Sequence, residues 1–218
     1  MRALLFDLDG TLTQGGGGGG RALAKALHTR PQASEELRRM RLDGMTDRAI
    51  ARLVLTAERK SVSERDIDDV LEQYLHALAT EVAERPYVPL PGVSELLRRL
   101  DAKALLGLCT GNHVRGAELK LSSAGLWGCW KFGGYGSDAE PRAEIVRTAF
   151  RRAQELGATD GLVIGDTPRD ILAAHEAGLP ACGVATGRWS IHDLATHGAE
   201  KVIATFGDIE ASIRLLLG

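Results

Sequence analysis

Apolar positions along this chain follow two rhythms. Short apolar runs at Arg2 to Leu8, Ala104 to Cys109, Leu162 to Gly165, Ala181 to Ala185 and Lys201 to Ala204 read as buried strands. Trp130 to Tyr135 reads as a further, glycine-interrupted strand. Between them the spacing lengthens to that of helices. Val93, Leu96, Leu97 and Leu100 mark an amphipathic helix over Pro91 to Leu100. Helices are also predicted over His113 to Ala124, Glu140 to Leu156, Ile171 to Ala177 and Ile209 to Leu217. Gly125, Gly157 and Gly178 stop the first three of these four. Strands alternating with helices predict an α/β fold whose mainly parallel sheet is covered on both faces.

One stretch breaks the alternation. From Arg21 to Arg85 only helical patterns occur, and Ser63 with Asp66 resembles a capping box that opens the run Ile67, Val70, Leu71, Tyr74, Leu75 and Leu78. The expected organisation is a sheet domain at 1–14 and 86–218, with a helical module inserted at 15–85. Pro86, Pro89 and Pro91 punctuate the return. Six glycines, Gly15 to Gly20, stand at the module's entrance. They read either as a surface loop or as a hinge, since glycine reaches φ values closed to other residues. No Gly-Lys-Ser/Thr follows them, so they are not a P-loop.

The chain has 218 residues, enough for one sizeable core and a small second module. A hydrophobic share of 44% and a charged share of 26% are those of a globular protein. The net charge of -2 lacks the basic excess of a typical nucleic-acid binder. No apolar run approaches the roughly 20 residues of a membrane span, and the opening run stops at Asp7, too early for a signal-peptide core. Cys109, Cys129 and Cys182 form no C-x-x-C pair and read as small buried apolar residues, which fits a reducing cytoplasm. A cytoplasmic enzyme without nucleic-acid or membrane partners is the expectation. Oligomeric state is left open.

In open parallel sheets, sites form at the carboxyl ends of the strands. Three ends are polar here: Asp7-Leu8-Asp9-Gly10-Thr11, Thr110-Gly111-Asn112, and Asp166-Thr167-Pro168-Arg169-Asp170. On an extended chain Asp7 and Asp9 would share a face. Carboxylates held together repel unless a cation or proton intervenes, and with Asp166 added the set suits Mg2+. No Cys/His set suggests zinc, and His192 and His197 read as solvent-facing helix groups.

These residues carry a resemblance. Phe6-Asp7-Leu8-Asp9-Gly10-Thr11-Leu12, Leu108-Cys109-Thr110-Gly111-Asn112 and Ile164-Gly165-Asp166-Thr167-Pro168-Arg169-Asp170 are similar to the first, second and fourth signatures of the haloacid dehalogenase superfamily of phosphohydrolases. They occur in the family's order and span essentially the whole chain. The helical insertion after the first strand resembles the cap of the phosphoglycolate phosphatase-like branch. The resemblance implies a Rossmann-like core and a Mg2+-dependent phosphatase acting on a small phosphorylated metabolite. It implies that Asp7 attacks phosphorus, that Asp9 serves as acid and then base, and that Thr110, with Gly111 and Asn112, binds the phosphoryl group. The third signature, usually Lys, falls on Arg142, with Lys131 as the alternative. Magnesium would sit on Asp7, the Asp9 backbone carbonyl and Asp166, with Asp170 orienting its waters or simply occupying a helix's first turn.

The acid at Asp9 favours ester hydrolysis over dehalogenation or phosphonate cleavage. A sugar phosphomutase of the same superfamily keeps that acid and stands as the alternative, as does a phosphate-binding module that has lost catalysis. Asp43 to Arg48 reads as a turn with Thr46 or Asp47 capping the helix through Leu55, or as a substrate-facing loop. Arg21 reads as a solvated side chain or a contact for a substrate anion.

Overall fold

The computed structural model describes residues 1–59 and 61–218. Six strands form one parallel sheet in the order β5-β4-β1-β6-β7-β8. They are β1 (Arg2–Phe6), β4 (Leu105–Thr110), β5 (Phe132–Tyr135), β6 (Asp160–Gly165), β7 (Ala181–Val184) and β8 (Lys201–Ile203). The remaining strands, β2 (Thr13–Gln14) and β3 (Val88–Pro89), form a small antiparallel ribbon where the chain leaves and re-enters the sheet domain.

Along β1 the side chains alternate. Leu4 and Phe6 face a core shared with α5 (Val93–Leu100), α6 (Val114–Ser123) and α10 (Ile209–Leu217). Ala3 and Leu5 face a core shared with α7 (Arg142–Glu155), α8 (Pro168–Glu176) and α9 (Ile191–Thr196). Both faces of the sheet are therefore covered, as expected of parallel strands with near-continuous apolar runs.

The insertion consists of α1 (Gly18–Ala26), α2 (Pro31–Arg39), α3 (Asp47–Glu58) and α4 (Glu64–Glu84), which share an apolar core of their own. The Ser63–Asp66 capping box forms and opens α4: the Ser63 N–H donates to Asp66 Oδ2 at 3.0 Å, and the Asp66 N–H donates to Ser63 Oγ at 3.2 Å. Thr46 is the cap of α3, its Oγ1 accepting from the Ala49 N–H at 3.2 Å. Arg21 does not stand free: Nε pairs with the buried Glu81 at 2.8 Å, tying α1 to α4.

Several expectations change. Gly18 to Gly20 form the first turn of α1 and are not loop. Gly16 and Gly17 hold positive φ, and Gly15 lies against Tyr87, whose ring carbon a Cβ would approach to 2.2 Å. The predicted strand at Trp130 starts instead at Phe132, because Trp127–Cys129 form a 3-10 turn. The helix expected from Ile171 begins at Pro168, which sets φ for a first helical turn. Cys109 and Cys182 are buried, but Cys129 is only half-buried, and all three thiols are free. His192 and His197 are exposed, as expected. Among the described residues no helix is long and apolar enough to cross a membrane.

The glycine run makes opposite demands at two positions. Gly20 is helical and a Cβ there meets nothing within 4 Å. Gly20→Ala should stabilise the protein by about 0.5–1 kcal/mol through lost unfolded-state entropy. Gly15→Ala should cost about 1–3 kcal/mol through overpacking on Tyr87. Urea unfolding of the two variants reads the signs; a stabilised Gly15→Ala would contradict the close turn described here.

Candidate active site

The strand order places β1 at the centre, with β4 on one side and β6 on the other. The chain runs outward to β5 and returns across β1 to β6, so the switch in direction lies beside the carboxyl end of β1. Asp7, Thr110 and Asp166 sit at these three strand ends and line one cavity of about 620 Å³ that the insertion also walls.

Asp7 follows directly on β1, its N–H donating to the Ile164 carbonyl at 2.8 Å. The chain then turns: the Leu12 and Thr13 N–H groups both return to the Leu8 carbonyl. Gly10 makes that turn with φ +83°, and a Cβ there would lie 2.4 Å from Asp166 Oδ2. Gly187, in the loop after β7, leaves similar room, since its Cβ would come within 1.9 Å of the same oxygen. Both positions need hydrogen in place of a side chain if Asp166 is to keep its place.

Asp7 is 5% exposed, and Asp166 and Asp170 are equally buried. One oxygen from each lies within 4.8 Å of the others. Arg142, at the start of α7, supplies the countercharge: Nη2 pairs with Asp7 Oδ1 at 2.9 Å and also with Asp170 Oδ1. Asp170 is further fixed by Thr167, whose N–H and hydroxyl donate to Oδ2 at 3.0 and 2.7 Å. With all three carboxylates ionised, one guanidinium would leave the cluster two negative charges in excess. Burial, above all, pushes the Asp7 carboxyl up to about 7 despite the pull of Arg142. Burial and the nearby Asp170 and Asp7 carboxylates push Asp166 up to about 8. Arg142 stays charged, because Asp170 and Asp7 outweigh the cost of its burial.

These groups fit Mg2+. The donors are all carboxylate oxygens, which a hard divalent cation prefers, and the surplus negative charge is what such an ion would neutralise. Asp7 and Asp166 would hold it. Asp170 is already committed to Arg142 and Thr167, so it serves as a support to the cluster and to α8's first turn together.

The second carboxylate of the first motif behaves otherwise. The period-two argument placing Asp9 beside Asp7 does not hold, because the strand ends at Phe6 and the backbone turns. The Asp9 side chain is 45% exposed. Its Oδ2 accepts from Asn112 Nδ2 at 2.9 Å and from Lys120 Nζ at 2.6 Å. The third carboxylate of the buried cluster is therefore Asp170, not Asp9.

Thr110 is fully buried, and its Oγ1 accepts from the Asn112 N–H at 3.3 Å and from Asn112 Nδ2 at 2.8 Å. With those donors on its lone pairs, the hydroxyl has its own hydrogen to offer. Gly111 has no room for a side chain, since a Cβ would meet the Met45 carbonyl at 2.5 Å. Lys131 is removed from the site: it is half-exposed and pairs with Asp101 at 3.2 Å. The Asp43 to Asp47 loop is both turn and wall. Arg142 Nη1 donates to the Gly44 carbonyl at 3.2 Å, and the Asp47 N–H donates to the Gly111 carbonyl at 2.9 Å.

Lys120 escaped the sequence reading. It lies with Gly116, Ala117 and Leu121 on the buried side of α6. A lysine on an apolar helix stripe was the available signal, weak because such side chains usually carry the charge out to water. Gly187 was hidden for a different reason: nothing in its local pattern refers to Asp166.

A family model described as haloacid dehalogenase-like hydrolase matches residues 1–178. A probable phosphatase of Dickeya dadantii, IndB, is 28% identical over 98% of this chain and 94% of its own length. A phosphoglycolate phosphatase of Yersinia pseudotuberculosis is 28% identical over 99% and 94%. The crystal structure of a hydrolase from Pseudomonas syringae shares the fold, with a TM-score of 0.78 at 23% identity and full coverage of both chains.

Protonation at the cluster predicts how metal and pH act together. Both carboxyls stand above the ordinary 3.8 of an aspartate. Their protonation therefore favours the metal-free fold; that contribution is complete below about pH 4 and fades as the pH rises through their folded values. Melting temperatures in chelator should fall between pH 5 and pH 8 by more than those in excess Mg2+, so that the stabilisation by metal widens with pH. A gap that stays constant, or narrows towards pH 8, would contradict the charge balance described.

Proposed function

We propose that this chain, which belongs to the haloacid dehalogenase-like hydrolases and is a phosphohydrolase, cleaves a small phosphate monoester through a phosphorylated Asp7, with Mg2+ as cofactor. The observation that carries this reading is the buried grouping of Asp7, Arg142 and Asp166, which line one cavity together with Thr110.

Asp7 is the nucleophile. Its carboxylate attacks phosphorus, an acyl phosphate bond forms, and the ester P–O bond breaks with its electron pair on the leaving oxygen. Asp9, at the cavity, gives that oxygen a proton. A water then attacks the phosphorus of the acyl phosphate; Asp9 takes the water's proton, and inorganic phosphate leaves Asp7 as a carboxylate. Arg142 neutralises the Asp7 carboxylate and the phosphoryl oxygens, and the Thr110 hydroxyl donates to one of those oxygens, with the Gly111 and Asn112 backbone lining the same strand end. Magnesium, held by Asp7, Asp166 and the Asp9 carbonyl, would supply Lewis-acid neutralisation of the phosphoryl charge.

The relatives and the cavity support a choice of substrate class. Two of the similar proteins are a phosphoglycolate phosphatase and a probable phosphatase, and a cavity of about 620 Å³ holds a small metabolite. Phosphorylated small acids, phosphoglycolate first among them, are the substrates we favour.

A screen of phosphorylated acids, sugars and nucleotides, with Mg2+ and with chelator, tests the reading. Release of inorganic phosphate should need Mg2+. Asp7→Asn should form no acid-stable, hydroxylamine-sensitive phosphoenzyme in rapid-quench experiments. Asp166→Asn should weaken the response to Mg2+ most. Phosphoenzyme on Asp7→Asn, or full turnover in chelator after dialysis, would sink it.

A further inference from the structure

The buried ammonium of Lys120 has no part in the scheme above, yet it touches the acid-base carboxylate. Its side chain is 5% exposed. A buried ammonium is costly unless it is paired and hydrogen-bonded, so its partners define its role. They are Asp9 Oδ2 at 2.6 Å, Asn112 Oδ1 at 2.6 Å, and the face of the Tyr87 ring, 5.3 Å from the nitrogen to the centroid. Nothing among these is a surface ion pair. Lys120 lies in α6, and helical side chains lean towards the helix N-terminus, which brings this one back to the end of β4.

The contacts make one closed network. Asn112 gives one amide hydrogen to Thr110 Oγ1 and shares Asp9 Oδ2 as a further acceptor. Lys120 bonds the same Asp9 oxygen and the carbonyl oxygen of the same Asn112 side chain. The amide orientation of Asn112 is thereby fixed, since only its oxygen can accept from an ammonium. Asp9 itself has little else to hold it: its side chain is 45% exposed on a turn, and among the described residues its side-chain hydrogen bonds end on Oδ2 alone.

We propose that Lys120 is a positioning residue for the phosphohydrolase reaction: with Asn112 it clamps Asp9 Oδ2, leaving Oδ1 as the oxygen that exchanges the proton with the leaving group and then with water. The inference rests on the reading of Asp9 as acid and base. The ammonium neither transfers a proton nor binds substrate; it removes rotamer freedom from the carboxylate that must meet the leaving oxygen at hydrogen-bonding distance.

The test uses Lys120→Met, of matched length, and Lys120→Cys before and after treatment with 2-bromoethylamine, which rebuilds a lysine-like amine; treated wild type is the control. Inorganic phosphate binding and thermal melting check that each protein is folded. For an alkyl phosphate, kcat in Lys120→Met should fall by about 100-fold, at the lower end of what general acid–base catalysis supplies, with KM changed by less than about 3-fold. For p-nitrophenyl phosphate, whose leaving group needs no proton, phosphoenzyme formation should fall by less than about 10-fold. Alkylation of Lys120→Cys should restore at least about a tenth of the wild-type rate on the alkyl ester, against about a hundredth before treatment.

Equal losses for the two leaving groups, a raised KM with unchanged kcat, or no recovery of rate in an alkylated protein that still binds phosphate would each overturn the assignment. If Lys120→Met does not bind phosphate, the cysteine pair decides alone. Wild type that turns over no ester would sink the hydrolase reading itself. Active wild type with an equally active Lys120→Met would sink only the role of Lys120.

Discussion

The structure depends on holding three carboxylates out of water at the end of its central strand. Isolated buried charges cost several kcal/mol each, so the surroundings must answer for them. Arg142 answers for one charge by bridging Asp7 and Asp170. The hydroxyl and N–H of Thr167 steady Asp170. Thr11 donates to Asp166 Oδ1 at 3.3 Å. Gly10 and Gly187 clear the space that Asp166 occupies. What these contacts leave uncompensated, once all three carboxylates are ionised, is a surplus of negative charge that a divalent cation would offset.

The same guanidinium connects the two halves of the molecule. Arg142 Nη1 reaches the Gly44 carbonyl of the insertion while Nη2 holds Asp7. Next to it the Asp47 N–H donates to the Gly111 carbonyl, and Asp47 Oδ2 accepts from the His113 N–H at 2.8 Å. Thr46 Oγ1 donates to the Glu140 carbonyl at 3.1 Å, and Arg52 grips the Glu140 carboxylate. The loop that caps α3 is therefore seated on the residues to which the phosphate chemistry is assigned by the proposal. The insertion cannot shift against the sheet without disturbing contacts of the second strand end and of Arg142.

How much of this could be read from the residues varies by kind of interaction. The sheet, the two covering helical layers and the helical insertion follow local periodicity, which the sequence displays directly. Asp7, Thr110 and Asp166 were legible because each ends an apolar run. Arg142 was legible only with the family's pattern, since one arginine at a helix start looks like another. The failures depend on backbone turns and on tertiary contacts, which no local pattern displays. Asp9 parts from Asp7 because the strand ends at Phe6, one residue before Asp7. Gly18 to Gly20 become helical although glycine is a poor helix former, because α1 packs Ala22, Leu23 and Ala26 into the insertion's core. Lys131 looked as basic and as near as Arg142, but it belongs to the segment entering β5 and pairs with Asp101 instead. Lys120 and Gly187 answer to residues more than a hundred and some twenty positions away, respectively, and no local pattern encodes such a distance.

The divergence of Asp7 and Asp9 bears on why one short motif can serve two chemical tasks. Had both carboxylates followed the extended strand, they would share one environment and compete for one cation. The turn at Leu8 to Gly10 separates them. Asp7 goes inward, among buried groups, to a planar guanidinium that grips two carboxylates at once. Asp9 goes outward to a point-charge ammonium and an amide that meet a single oxygen. The proposed nucleophile must be fixed in line with phosphorus, which the contact of Arg142 with Asp7 suits. A proton carrier must keep one oxygen accessible and the other restrained, which contacts confined to Oδ2 provide. Two carboxylates in two environments, each with its own cation, would divide the proposed nucleophile from the proposed acid without any difference in residue type. The glycine at position 10, forced by its positive φ and by the nearness of Asp166, is what makes that division possible.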